Sequence, residues 1–438
     1  MLSKRILCSG LVAFSLGSFA LAQAPKDSPT PYGPVVQVQA PAPDMTPQPT
    51  SPGLPSSTDT DIAPPLPEEK PEKLGPTNPE DVKLFMSTRP GKFLESLGIR
   101  GYGWVDSGYT FSSSGPGVMA VETRENLFGN SYIVNEIAMV LDKPLDPSRL
   151  SFGFNSTLYA GSDAALLHPL GGIDTHDPRM GLDFRNLFVA VHLPVLTEGG
   201  LDIRAGRMGT VIGYESALAP YRPFYSNDYQ WFYAEDGAFT GVLGTLHVTK
   251  RLDVVSGITF GANTFFTMRG TAPCYLGQIN YWLQDEKRTL LSSSVYVGNN
   301  AIFAAPGMTG TFDTNVEVRV QHKWTERIEQ IVQSDMGWSS NVPNVGTAAW
   351  YSLYTIGVVH LMKRADFNVR GEWFDDVGGS RTGINTNFSE ATVGFDLHPF
   401  KAISIRPEVR GDFSGTPAFN HGTQRSQLTA AVDFLGKF

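Results

Sequence analysis

The chain has 438 residues, 41% of them hydrophobic, with a formal net charge of -9 and a mean hydropathy of -0.13. An acidic chain without basic blocks is a poor nucleic-acid binder, and so low a hydropathy excludes a bundle of helical membrane spans. Aromatic residues at 11% and 45 glycines fit an all-β protein with many turns.

The first 24 residues read as a signal peptide. Lys4 and Arg5 form its basic start, Ile6 to Leu21 its apolar stretch, and Ala22-Gln23-Ala24 an A-x-A site, so cleavage is expected after Ala24. Cys8 leaves with that segment; the mature chain keeps only Cys274 and has no internal disulfide. Without Lys4 and Arg5 the 34 basic residues fall to 32, against 43 acidic ones. Residues 25–79 then hold 16 of the 31 prolines and almost no aromatics, so they cannot bury a core. This stretch reads as a disordered linker, a passive spacer before a tether to the cell wall. Residues 80–97 read as a short helical segment under a barrel mouth, with Asn78 and Pro79 as start signals.

From Gly98 the pattern changes to strands. Sixteen are expected, at about 98–111, 131–142, 148–160, 183–195, 199–208, 236–250, 251–263, 274–285, 287–299, 311–324, 325–338, 348–363, 364–376, 387–398, 401–413 and 425–438. In one, Phe312, Val316, Val318, Val320 and Trp324 alternate with Asp313, Asn315, Glu317, Arg319, Gln321 and Lys323. In another, Ile403, Ile405, Pro407, Val409 and Phe413 alternate with Ser404, Arg406, Glu408, Arg410 and Asp412. Strands 183–195 and 236–250 have no clean face.

Alternation alone fits a soluble sandwich with its apolar face inward, or a membrane barrel with that face on lipid. Connection lengths separate the two. Tight turns follow the even-numbered strands and longer loops the odd ones: 112–130, 161–182, 209–235, 264–273, 300–310, 339–347, 377–386 and 414–424. That is the layout of a transmembrane antiparallel β-barrel of the outer membrane, and an even count puts both termini on the periplasmic side. Closing the first strand on the last removes the sheet edges. Trp324, Trp338, Trp350, Trp373 and Phe438 lie near strand ends, as an aromatic girdle would. The last strand sets Leu428, Ala430, Val432, Phe434, Gly436 and Phe438 on one face and stops on an aromatic residue. Phe434 and Phe438 resemble the assembly signal by which outer-membrane barrels are recognised by the barrel-assembly machinery.

The stretch Leu187 to Phe266, with Ala205-Gly206-Arg207, Gly213-Tyr214-Glu215 and Ser226-Asn227, resembles the OmpL-like putative beta-barrel porins, the second family of that name. The opening strand GIRGYGWVDSGYTF from Gly98 is also similar to that family's start, and the resemblance spans most of 98–438. It implies an outer-membrane porin in contact with outer-membrane lipid.

Loop 209–235 is the functional candidate. It follows the fifth strand, and in well-known sixteen-stranded porins the loop at that place folds into the lumen. Glu215, Arg222, Asp228, Tyr229, Trp231, Glu235 and Asp236 are the residues expected to form a constriction, with carboxylates facing basic wall residues to set a transverse field. Aromatic faces there could stack on sugar rings. The bland alternative is an external loop whose aromatics pack on one another. Arg204, Arg319, Arg370, Glu372, Arg406, Glu408 and Arg410 are expected on the lumen wall. With Lys323, Asp202, Asp313, Glu317, Asp366 and Asp412 they make the lining nearly balanced in charge, so weak ion selectivity is expected.

His168, Asp174, His176 and Asp177 sit close in loop 161–182, but an ordinary polar turn is the simpler reading and no metal or other cofactor is assigned. There is no G-x-S-x-G elbow, H-E-x-x-H or P-loop, and His247 and His360 are candidates for barrel-enzyme chemistry by residue type alone. The sequence therefore reads as a porin, not an enzyme, passing small hydrophilic solutes. The alternative is a structural or adhesive anchor with an occluded barrel. Sixteen-stranded porins are commonly trimers, so a homotrimer is the assembly to test.

Overall fold

The computed structural model describes residues 74–114, 117–118, 128–173, 175–235, 237–270, 272–300 and 311–438. The expected signal peptide and most of the proline-rich stretch lie outside the described residues.

Sixteen strands close into an antiparallel barrel. They are β1 (Arg100–Ser112), β4 (Ser131–Lys143), β5 (Ser151–Gly161), β6 (Gly181–Leu193), β7 (Leu201–Met208), β8 (Phe239–Thr249), β9 (Leu252–Ala262) and β10 (Cys274–Trp282). β11 (Thr289–Asn300), β12 (Thr311–Thr325), β13 (Ile328–Val342), β14 (Gly346–Met362), β15 (Ala365–Val377), β16 (Asn387–Phe400), β17 (Ile403–Ser414) and β18 (Ser426–Lys437) complete it. Each pairs with its neighbours in sequence, and β1 closes on β18 from Trp104↔Lys437 to Ser112↔Thr429. Two short strands, β2 (Gly117–Val118) and β3 (Phe128–Gly129), pair inside the connection expected to be a plain loop.

The burial pattern decides between sandwich and membrane barrel. On β12, Val318 is 54% exposed while Arg319 is 4% exposed. The same inversion holds on β17, where Val409 and Phe413 are exposed and Arg406, Glu408, Arg410 and Asp412 are buried. Side chains alternate across a pleated strand, so one apolar face covers the outside and one charged face the inside. In water this would expose a large apolar band; in lipid it matches the solvent.

Two expectations need correction. Trp350 is 0% exposed and points inward, with the Arg381 guanidinium 3.6 Å from its ring centroid. Its neighbour Tyr351 takes the outward place, while Trp324, Trp338 and Trp373 do face out. The connection expected at 339–347 is also far shorter, since β13 runs on to Val342 and β14 starts at Gly346. Asn341 and Asn344 adopt φ of 63° and Gly346 of 86°, so the turn residues lie partly inside the strands.

At the short-turn end, a 3-10 turn at Pro79–Asp81 leads to helix α1 (Arg89–Ser96). Its start is set by Thr88, whose Oγ1 accepts from the Gly91 N–H at 3.2 Å, not by Asn78.

Candidate functional site

Segment 209–235 lies inside the barrel. Its backbone has few partners of its own, and a buried peptide group needs one. The barrel wall supplies them. Along β17, alternate residues Arg406, Glu408, Arg410 and Asp412 point inward; along β15, Asn368, Arg370 and Glu372 do the same. Glu408 accepts from the backbone N–H groups of Tyr225 at 2.9 Å and Ser226 at 3.1 Å. Glu372 accepts from Tyr229 N–H at 2.7 Å and from Gln230 N–H. On β4, Glu136 accepts from Ala219 N–H at 3.2 Å.

Guanidiniums hold the carbonyls. Arg406 donates to Ala219 O at 2.7 Å and Arg222 O at 2.9 Å, and Arg410 to Asn227 O at 2.6 Å. Arg370 donates to Ser226 O at 2.8 Å, to Glu215 at 2.7 Å and to Glu390 at 2.7 Å. Arg319 donates to Gly213 O. Glu390 of β16 faces Glu372 and Asp412 across the ladder, which alone would be repulsive. The Arg370 contact, with Arg410 at 2.8 Å from Asp412, offsets that repulsion.

The other wall is different. Val211 and Ile212 pack with Phe239, Leu243, Val255, Leu276 and Tyr296, an apolar patch on the inner faces of β8 to β11. This is why strand 236–250 shows no clean face: β8 is apolar outward to lipid and inward to the segment. Below the patch, towards the short-turn end, the wall is wetted. Asp202 and His247 keep 22% and 26% of their side chains exposed, joined in a chain His192–Asp202–His247–Asp253. Arg204 stands inward here, 6.0 Å from the Phe188 ring centroid.

The expected constriction residues are therefore placed as follows. Glu215 is buried against Arg370 and accepts from Asp228 N–H at 3.1 Å. Arg222 sits 3.7 Å from Asp106 and 3.9 Å from Asp163. Asp228 caps the turn at Gln230–Ala234 by accepting from Trp231 N–H at 2.6 Å. Its carboxyl pKa is pushed well up by burial and then by the Glu215 and Glu372 charges; burial likewise raises that of Glu235, a partner of Gln333. Tyr229 donates to Asp412 at 2.8 Å and stacks on Tyr233, and Trp231 stacks on Phe232. The aromatics thus pack on one another, but within the lumen rather than outside, and present no free face for a sugar ring. Asp236 lies outside the described residues.

Sequence reasoning missed part of the lining. Asp106, Glu136, Asp163, Asp183, Asp335, Asp376, Glu390, Asp396 and Asp433 face inward, with Arg185, Arg207, Arg381 and Lys437. Carrying the alternation into every strand would have found most of them. Acids outnumber bases among these additions, so the lining is acidic rather than balanced. In loop 161–182, Asp174 lies outside the described residues and His176 and Asp177 are exposed. Among the described residues no group of three or more His, Cys, Asp or Glu is arranged to hold a metal. His247 and His360 face the lumen, each against a carboxylate.

A family model described as "Putative beta-barrel porin-2, OmpL-like" matches residues 98–438. Among solved structures, the fold resembles the outer membrane channel DcaP of Acinetobacter baumannii, at 11% identity and a TM-score of 0.53, covering 78% of this chain and 97% of that one. An anion-selective porin from Comamonas acidovorans aligns at 11% identity and a TM-score of 0.54, covering 78% and 99%. OmpT of Vibrio cholerae in its trimer form aligns at 9% identity and a TM-score of 0.50, again covering 78% and 99%. At such identities the likeness is one of fold. No curated protein matches the chain.

Proposed function

The chain belongs to the OmpL-like beta-barrel porin family, and from that premise we propose that it is an outer-membrane porin passing small hydrophilic solutes by diffusion. The observation that carries the reading is a charged inner wall crossed by a segment that the wall itself holds. A polar lumen lets hydrated solutes cross without entering hydrocarbon, and segment 209–235 sets the size limit. The short-turn end faces the periplasm. The likeness to a trimeric porin supports a homotrimer as the working assembly.

The occluded anchor keeps one specific observation in its favour. Tyr225, Tyr229, Trp231 and the wall residues around them are nearly inaccessible, and a water-filled gap beside them would leave them wetted. Passage therefore runs past the wetted β7–β9 wall and needs the apolar contact of Val211 and Ile212 to part. Swelling of liposomes carrying the purified mature protein decides between the two. Size-dependent swelling with small sugars supports the porin; no swelling from folded, inserted protein overturns it in favour of the anchor.

A further inference from the structure

The sequence before the barrel was read as a linker, yet its last described residues enter the lumen. Lys437, at the end of β18, donates to the Thr77 carbonyl at 2.7 Å. Gly75 lies against the His360 imidazole at the end of β14: an added Cβ would stand 3.3 Å from that ring. Pro79 and Val82 are buried. Glu80 accepts from the Tyr221 hydroxyl at 3.0 Å, and Tyr221 belongs to the 3-10 turn Ala219–Tyr221 of the inner segment. The Tyr221 ring meets Trp104 edge-on at 6.3 Å. Trp104 in turn donates to Glu136, the carboxylate that holds Ala219 N–H.

These contacts share one geometry. Lys437, His360 and Tyr102 all lie at the short-turn ends of their strands, so residues 74–82 occupy the β14 to β1 side of that mouth. The wetted residues Asp202, His247 and Asp253 lie on the opposite side. A spacer has no reason to bury a proline, a valine and a glutamate in a barrel mouth. Burial raises the Glu80 carboxyl above its usual range, and removing it from water is worthwhile only against a partner such as the Tyr221 hydroxyl.

We propose that residues 74–82 form a latch, which closes one side of the short-turn mouth and holds the inner segment down through the Glu80–Tyr221 contact. The proline-rich stretch runs directly into residue 74, so a pull along it draws on the latch first. Withdrawal frees the turn at 219–221, the part of the inner segment nearest that mouth.

Amide hydrogen exchange on the full mature protein in detergent tests this without relying on transport. Glu80→Ala removes the acceptor of Tyr221. Gly75→Trp adds a ring where φ is +91° and His360 leaves no room. Asp81→Ala, at an exposed neighbour, is the control. A hydrogen bond to a charged group is worth about 1.5–3 kcal/mol, so amides of 217–222 should exchange on the order of tenfold faster or more in the first two variants. Strand amides of β12 to β17 and the control should stay at wild-type rates. Wild-type rates at 217–222 in Glu80→Ala and Gly75→Trp would overturn the latch. If Gly75→Trp also loosens the strands, Glu80→Ala alone decides. Liposome swelling reads the porin assignment separately, so either can fail without the other.

Discussion

The two walls that meet segment 209–235 hold it by different physics. On β15 to β17 the contact is a set of charge-assisted hydrogen bonds to backbone groups, each with a required position and direction. On β8 to β11 it is an apolar patch around Val211 and Ile212, with no preferred direction. A directional clamp fixes where the segment sits; an apolar contact lets it part and reseal. The difference places the hinge on the arginine wall and the opening on the apolar one.

The strongest way to break this comparison is Arg370→Ala. It leaves Glu215 and Glu390 buried without their shared cation, and loss of one partner of a buried pair costs about 3–5 kcal/mol. Thermal unfolding in detergent should show the loss, and amides across 215–230 should exchange faster. A stability equal to wild type would contradict the clamp.

Ile212→Val sharpens the same comparison from the other wall. It removes one buried methylene, worth about 0.5–1.5 kcal/mol, and breaks no hydrogen bond. The account expects unchanged protection at 222–231 and a more frequently open channel. Loss of protection at 222–231 would show that the apolar wall also positions the segment.

The smallest effect is expected at Asp202, which is partly wetted and so partly screened by salt. The acidic lining predicts a mild preference for cations in a reversal-potential measurement, and Asp202→Asn should weaken it slightly. A preference for anions in the wild type would contradict the lining as assigned.

Most of the barrel was legible in the sequence because a period of two survives wherever one face meets lipid and the other is polar. Strands 311–324 and 401–413 are such cases. Legibility failed where both faces carry the same chemistry. Trp350 and Tyr351 are adjacent aromatics, so composition could not say which points inward. Leu243 and Phe239 are apolar inward because the inner segment covers them. The charged wall residues could be named from their strand face. Their use could not, since Glu408 and Arg410 hold backbone groups that look alike in every sequence. The latch was hidden for a similar reason: Thr77 contributes a carbonyl, and Glu80 stands in a proline-rich stretch with no periodicity.

The most direct test of the central claim is single-channel conductance of the mature protein in planar bilayers, wild type beside Arg370→Ala. The account predicts stable steps in the wild type, and larger or noisier steps in the variant as the inner segment leaves its clamp. Steps of the same size and noise in both would contradict it, since segment 209–235 could not then be what limits the lumen.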